Sequence, residues 1–223
     1  HELRTPLSLI IAPVEDLMKN ISVEKQWKNH LQLIHRNSNY LLRLINQMID
    51  FRKLNAGKLS FQPVKADIVR VIKDVVMNFK GHEANRNVNL YLKVPAESVV
   101  VSIDVQKIEE VLYNLISNAF KHTPDHRSIT VSMNLQKAEH EKAQQQICIT
   151  VFNEGEVLSG DNRHKIFERF YKVNENSEGA GIGLSFARSL VEMHNGKIEA
   201  EPLSERGTAF NVDLTLTDSE LRQ

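Results

Sequence analysis

Apolar residues recur at helical spacing throughout residues 1–55. One set runs from Leu3 to Met18 and a second from Leu31 to Leu54. Residues 19–24 interrupt the pattern, and Ser22 is positioned there to cap a second helix. The pattern therefore predicts two amphipathic helices joined as a helical hairpin.

The second helix is predicted to be much longer than the first. A helix over 24–55 is about 48 Å long at 1.5 Å per residue, so one shorter neighbour leaves part of its apolar stripe uncovered. We therefore expect two hairpins to pair as a homodimeric four-helix bundle.

After Gly57 the pattern changes to strands that alternate with helices. Strands are predicted over 59–64, 88–94, 99–103, 128–135, 146–153, 197–201 and 207–214. Helices are predicted from the cap Asp67 to about Lys80, from the cap Asp104 to about Lys121, and over 182–194. The predicted fold class is α+β, with the hairpin followed by a two-layer sandwich in which a mixed sheet has three helices on one face.

These patterns predict four segments along the chain. They are a helical region 1–57, a linker and first strand 58–66, an α/β domain 67–217, and a charged tail 218–223.

Composition excludes several classes of protein. Lysine plus arginine and aspartate plus glutamate both total 28 among 223 residues, so no net field attracts nucleic acid or anionic lipid. The 41% apolar and 25% charged fractions are typical of a folded, soluble chain, and no apolar stretch approaches the length of a membrane span. The single cysteine, Cys148, cannot form an internal disulfide, and its apolar surroundings indicate a packing role.

A glycine-rich element precedes the last predicted helix. Gly179, Gly181 and Gly183 alternate with apolar residues and are followed by Leu184. Backbone N–H groups at the start of a helix can cradle phosphates, although a tight turn without a ligand has the same pattern. The element lacks the Gly-Lys-Ser/Thr of a P-loop and follows a polar loop instead of the strand that a dinucleotide fingerprint requires.

The predicted helix that ends near Lys121 carries a polar row. Asn114 and Asn118 are four residues apart and share a face, and Lys121 follows three residues later. An amide oxygen suits a magnesium ion whose charge is mainly balanced by phosphate, and a lysine can contact phosphate directly. A solvated helix face is the alternative interpretation.

Four motifs together resemble those of the sensor histidine kinases. Residues 1–6, His-Glu-Leu-Arg-Thr-Pro, are similar to the phosphoacceptor box, and residues 114–121 to the N box. Residues 166–171 resemble the F box and residues 179–184 the second glycine box. The resemblance covers essentially the whole chain and implies a dimerisation and phosphotransfer hairpin followed by a Bergerat-type ATP-binding domain.

In the hairpin, the resemblance makes His1 the phosphoacceptor. Its neutral imidazole can attack a γ-phosphate through one ring nitrogen, while an adjacent acid, matched by Glu2, orients and deprotonates the other. Thr5 matches a position that helps to place a water for dephosphorylating the partner, although a threonine before proline can also be structural.

In the ATP-binding domain, the resemblance makes Asn118 the magnesium ligand. Asn114 and Lys121 match phosphate-side contacts, and the glycine box from Gly179 to Leu184, especially Gly181 and Gly183, matches the turn that wraps the phosphates. The two phenylalanines Phe167 and Phe170 are expected to anchor the lid. Hydrolytic relatives of this fold place a glutamate at the position of Asn114, and an amide there is a poor base, so the resemblance favours phosphotransfer over hydrolysis.

The chain departs from the family at its adenine box. The usual Asp-x-Gly-x-Gly reads Asn153-Glu154-Gly155-Glu156-Val157 here. The amide oxygen of Asn153 can still accept a hydrogen bond from the adenine amino group, but without charge assistance. Val157 replaces the second glycine and restricts the loop, while Gly155 is retained.

The predicted activity is Mg-ATP-dependent autophosphorylation of His1 in a homodimer, followed by transfer to an aspartate of a response-regulator receiver domain. The alternative is a nucleotide-poor dimeric signalling module with weak or no kinase activity, which the changes at Asn153 and Val157 favour. Because the matching histidine is residue 1, we expect this sequence to be the cytoplasmic portion of a longer inner-membrane receptor of hybrid type.

Overall fold

The computed structural model describes residues 4–19, 24–137, 145–158, 160, 162–173, 181–203 and 206–215. Backbone contacts divide the chain into two compact units, His1–Ser60 and Phe61–Gln223. Within the described residues, none of the helices has both the length and the apolarity that a membrane crossing requires.

The first unit is a helical hairpin, as the apolar periodicity predicts. Helix α1 spans Arg4–Lys19 and packs along α2, which spans Glu24–Asn55. The second helix ends where Gly57 takes the left-handed conformation, with φ of 63°, and Lys58 N–H donates to the carbonyl of Lys53 at 2.8 Å. The predicted cap Ser22 lies outside the described residues.

The second unit alternates strands and helices. Its strands are β1 Val64–Asp67, β2 Asn89–Lys93, β3 Val100–Ile103, β4 Ser128–Lys137, β5 Gln145–Glu154, β6 Lys197–Pro202 and β7 Gly207–Thr215. Its helices are α3 Ile68–Arg86, α4 Val105–His122, α5 Asn162–Lys165 and α6 Gly183–Met193.

Five strands form a mixed sheet in the order β2-β4-β5-β7-β6. The β2–β4 pair is parallel and the other pairs are antiparallel. Helices α3, α4 and α6 pack together, and all three contact strands of this sheet. The apolar face of α4 supplies much of the core, with Ile108, Val111, Leu112, Leu115, Ile116, Ala119 and Phe120 buried. The predicted α+β class with a mixed sheet is confirmed.

The start of the second unit differs from the prediction. The first strand occupies Val64–Asp67 instead of 59–64, and it pairs with β3 in a separate two-stranded sheet. The reason is long-range hydrogen bonding: Gln62 N–H donates to the carboxylate of Asp104 at 3.0 Å instead of joining a ladder. Similarly, Asp67 caps α3 by accepting from Val69 N–H and also accepts from Val99 N–H.

One further boundary differs from the prediction, and one helix was not predicted. Helix α3 continues to Arg86 instead of ending near Lys80, and it ends where Asn87 takes a left-handed conformation with φ of 48°. Asparagine tolerates this conformation better than most residues because its short polar side chain can bond locally. The short helix α5 was not predicted, because four residues do not generate a detectable helical period.

Candidate functional site

Helix α4 orients the predicted N-box residues. Its N-cap is Asp104, which accepts a hydrogen bond from Lys107 N–H at 3.4 Å. Because the opposite face is buried, Asn114 and Asn118 lie one turn apart on the remaining face and are half-buried, while Lys121 is exposed near the helix end. The two asparagines of the polar row are therefore partly enclosed, whereas Lys121 is open to solvent.

Helix α6 begins against this polar row. A Cβ atom at Gly183 would lie 3.3 Å from Oδ1 of Asn114, so glycine permits a close approach between the two helices. The N-cap residue Ile182 offers no side-chain hydrogen bond to the first turn of α6, and Leu184 follows as its second residue. The start of α6 is thus not capped by its own N-cap side chain, and it lies beside the side-chain oxygen of Asn114.

Gly181 fixes the entry to this turn. It has φ of 66°, and a Cβ there would lie 2.8 Å from the carbonyl carbon of Phe170. Phe170 N–H donates to the carbonyl of Gly181 at 2.9 Å. The F box and the second glycine box are therefore joined through their backbones.

The two F-box phenylalanines have different roles in packing. Phe167 is buried and its ring meets Phe210 edge to face at 6.4 Å. Phe170 is 66% exposed and is held through its backbone. The hydroxyl of Tyr171 donates to Oδ1 of Asn162 at 2.7 Å and fixes the end of this segment.

The segment that differs from the family's adenine box, residues 153–157, begins at the end of β5. Asn153 is only 2% exposed, and it pairs across the sheet with Ile129 and Thr208. A Cβ at Gly155 would lie 3.1 Å from Nδ2 of Asn153 and would overlap the backbone carbonyl of His122. Gly155 thereby lets the loop after β5 approach the C-terminus of α4, where the N box ends.

His122 carries a titratable ring at this end of α4. Partial desolvation lowers its pKa, the charge of Lys121 lowers it further, and the carboxylate of Glu156 acts in the opposite direction. The ring is therefore neutral near pH 7, and Lys121 supplies the positive charge of this segment.

Thr208 is a site residue that sequence reasoning missed. It is buried opposite Asn153, its hydroxyl donates to the carbonyl of Glu156 at 3.2 Å, and it accepts from Leu158 N–H at 3.3 Å. These two bonds hold the loop of the adenine box on strand β7. The sequence signal for this residue was the glycine before it, at the start of a strand. Gly207 lets the backbone of β7 approach the carbonyl of Asn153, which a Cβ there would overlap.

Glu154 belongs to the same box in the sequence, but its side chain bonds to a neighbouring strand. Its carboxylate accepts from both the backbone N–H and the hydroxyl of Ser128, at 3.0 and 2.8 Å. These hydrogen bonds lower its pKa, so the side chain is ionised and engaged with strand β4.

The other predicted site residues lie outside the described residues or in the first unit. His1, Glu2 and Gly179 lie outside them, and Thr5 lies in the first turn of α1, in the other unit.

The one donor on the polar row that could hold a metal ion is an amide oxygen, which suits a hard cation. The described residues contain no group of three or more histidine, cysteine, aspartate or glutamate side chains that could hold a metal. A cation bound here would take the amide oxygen of Asn118 and obtain its other ligands from phosphate and water, which is typical of magnesium.

Family models agree with this arrangement. Residues 103–218 match the family described as "Histidine kinase-, DNA gyrase B-, and HSP90-like ATPase", so the second unit belongs to that class of ATP-binding domain. Residues 1–57 match the "His Kinase A (phospho-acceptor) domain". The chain belongs to the sensor histidine kinase family, as its four motifs predict.

Individual relatives point the same way. The chain is 32% identical over 229 residues to Histidine kinase P4 of Formosa agariphila, covering 100% of this chain and 16% of that protein. The chain spans less than a quarter of the length of curated relatives such as this one.

Solved structures share the fold. ShkA in complex with AMPPNP superposes with a TM-score of 0.71 at 21% identity, covering 97% of this chain and 44% of that one. Histidine kinase ThkA in complex with the response regulator TrrA gives 0.64 at 21% identity, covering 100% of this chain and 60% of that one.

Proposed function

We propose that this chain transfers the γ-phosphoryl group of Mg-ATP to His1 and that the phosphohistidine then donates it to an aspartate of a response-regulator receiver domain. Membership of the histidine kinase family gives the reaction class. The observation that carries the proposal is the approach of Asn114 Oδ1 to Gly183, which unites the N-box row with the start of α6.

On this proposal, the phosphates bind between α4 and the glycine turn. N–H groups at Gly181 and Gly183 donate to phosphate oxygens, while Asn114 and Lys121 contact the phosphates from α4. Asn118 holds the magnesium ion, which neutralises charge on the phosphates when bound.

His1 is the proposed nucleophile. One ring nitrogen attacks the γ-phosphorus, the bond to the bridging oxygen breaks, and ADP leaves. Glu2 accepts the proton from the other ring nitrogen, so the imidazole stays neutral during transfer. Thr5, in the first turn of α1, is proposed to help place a water for dephosphorylation of the receiver.

Asn114 also supports transfer over hydrolysis. A kinase must protect the γ-phosphate from water until the histidine arrives, and an amide cannot act as the general base that activates water.

The adenine is proposed to bind beside Asn153. Its buried position next to Gly155 leaves little freedom for the side chain, and Thr208 fixes the loop on the opposite side. An ordered amide at this point can accept a hydrogen bond from the adenine amino group.

The working form is proposed to be a homodimer through the hairpin. Large apolar side chains remain exposed on the single hairpin, namely Leu7, Leu9, Ile11, Val14, Leu31, Leu42, Ile45, Met48 and Ile49. A second copy would cover them in a four-helix bundle. We further propose that the chain is the cytoplasmic portion of a longer membrane receptor, and that its receiver lies either in the same protein or in a separate one.

Calorimetry with Mg-ATP tests the proposed site directly. Asn118→Ala is expected to abolish magnesium-dependent binding while the fold is retained, because the substitution leaves the apolar face of α4 unchanged. Asn134→Ala, at an exposed position of β4, is the matched control and should bind as the wild type does. Unchanged affinity in Asn118→Ala would remove Asn118 from the site.

Transfer of the γ-phosphoryl group to His1 is the second test of the proposed function. With ATP labelled at the γ-phosphate, we expect an acid-labile, base-stable adduct that disappears in His1→Gln. Label that survives this change would identify another acceptor. A wild-type chain that binds no Mg-ATP would leave the nucleotide-poor signalling module as the function.

A further inference from the structure

Asp104 joins three segments that are distant in sequence. Its carboxylate caps α4, and the same carboxylate accepts from Gln62 N–H, 42 residues away. Its own N–H donates to Nε2 of His194, 90 residues away, at 3.1 Å. Asp104 is buried, and its bond to His194 is shielded from water.

His194 has a defined tautomer in this arrangement. Nδ1 lies 2.8 Å from the carbonyl of Leu190, which can only accept, so Nδ1 carries the proton and Nε2 offers a lone pair to Asp104 N–H. The imidazole is 9% exposed, and the ring of Phe61 meets it edge to face at 4.8 Å. We call Phe61, Gln62, Asp104 and His194 the linker junction.

The linker junction lies where α4 begins and α6 ends, about three helical turns from the Asn114–Gly183 approach along each helix. Asp104 precedes α4 and His194 follows α6. From Asp104 to Asn114 α4 rises about 15 Å, and from Gly183 to His194 α6 rises about 17 Å. The helices therefore run antiparallel. Asp104 and His194 join them where α4 begins and α6 ends, and the Asn114–Gly183 approach brings the start of α6 to the middle of α4.

Phe61 and Gln62 are the first two residues of the second unit. A displacement of the chain that enters this unit therefore acts directly on His194 and Asp104. Because packed helices move as rigid elements, a shift at one end changes their separation at the other.

We propose that the linker junction couples the chain entering from the helical hairpin to nucleotide affinity, with His194 as the positioning residue that transmits the position of Phe61 to α4 and α6. The inference rests on the proposed nucleotide site between these helices. It gives the connecting segment a regulatory role: displacement of Phe61 loosens the phosphate site, and docking of Phe61 tightens it.

Phe61→Ala is the decisive variant, because Phe61 is partly exposed and its ring can be removed without emptying the core. Calorimetry on the 223-residue chain should show Mg-ATP binding weakened about threefold. Tyr91→Ala removes an exposed aromatic ring from β2 and should keep wild-type affinity. Equal affinity in the wild type, Phe61→Ala and Tyr91→Ala would overturn the coupling.

Substitutions of His194 test the route of transmission. His194→Leu, which has no acceptor for Asp104 N–H, should weaken binding about tenfold, and His194→Gln should recover part of the loss through its amide oxygen. If Phe61 acts through His194, Phe61→Ala should cause no further loss in the His194→Leu background. Fully additive losses would contradict this route.

Hydrogen exchange without nucleotide separates this inference from the proposed function. Phe186 N–H, bonded to the carbonyl of Ile182 at 2.9 Å, reports on the first turn of α6. Its exchange should accelerate about threefold in Phe61→Ala and stay unchanged in Tyr91→Ala, even if the wild type binds no Mg-ATP. Unchanged exchange in Phe61→Ala would overturn the junction independently of any nucleotide result.

Discussion

At the scale of single residues, Asn153 stands where the family usually has an aspartate, and its side chain is buried. The side chain is buried at the end of β5, with Gly155 against its amide nitrogen and Thr208 across the sheet. Because the side chain is buried, the donor and acceptor groups of its amide determine what it can recognise.

Asn153→Asp is expected to strengthen Mg-ATP binding by about fivefold, because a charge-assisted hydrogen bond to the adenine amino group exceeds a neutral one by about 1 kcal/mol. GTP should gain nothing, since guanine presents a carbonyl at that position. The melting temperature of the nucleotide-free protein should fall, because the new carboxylate is buried. Equal changes for ATP and GTP, or a loss of ATP affinity, would contradict the adenine assignment and favour the nucleotide-poor module.

At the scale of elements, the turn that precedes α6 depends on backbone proximity. Gly181 and Phe170 both have positive φ, and they approach so closely that a Cβ at Gly181 would collide with backbone atoms. Backbone atoms cannot rotate away as a side chain can, so any side chain at this position strains the turn.

Gly181→Ala is expected to lower the free energy of unfolding by about 1 to 2 kcal/mol, because alanine is strained in the left-handed conformation and meets Phe170. Denaturant unfolding measures this difference. Gly160→Ala is the matched control, since a Cβ there meets nothing within 4 Å, and its effect should stay within about 0.5 kcal/mol. A Gly181→Ala protein as stable as the control would show that the turn adapts.

The exposed hairpin face gives a prediction at the scale of the whole molecule. Leu42→Glu and Ile45→Glu should each raise the dimer dissociation constant by about two orders of magnitude, because burying an unpaired carboxylate costs several kcal/mol. Light scattering across a concentration series measures the shift. Asn134→Asp adds the same charge at an exposed position of β4, outside the hairpin, and should remain dimeric. Dimers that withstand both glutamates would place the contact on another face.

Stability should also depend on pH through His194. Burial lowers its pKa, with the Lys107 charge acting in the same direction and the Leu190 carbonyl and Asp104 opposing it. Below histidine's ordinary pKa of about 6.5 the unfolded chain therefore binds a proton that the folded chain excludes. The stability that the neutral His194 contributes is complete above pH 6.5 and declines as the pH falls towards the lowered pKa. The free energy of unfolding, measured from pH 7.5 to 5.5, should fall less steeply in His194→Gln than in the wild type. Identical slopes would exclude His194 as a source of the pH dependence.

The sequence by itself was sufficient for features that depend on neighbouring residues. The caps Asp67 and Asp104, the long helix ending before Gly57, and the four-residue spacing of Asn114 and Asn118 are local properties of the chain. The mixed sheet was predictable because its strands alternate in polarity, and the family was identifiable because four short motifs occur in order.

Tertiary structure decided what depends on residues distant along the chain. No local pattern indicates that Asp104 forms hydrogen bonds to segments 42 and 90 residues away, or that Thr208 fixes the loop after β5. The bond from Gln62 N–H to Asp104 lies outside any strand ladder, and β1 and β3 pair in a sheet of their own. Periodicity reports which face of an element is apolar, whereas the choice of polar partner follows only from how the elements pack.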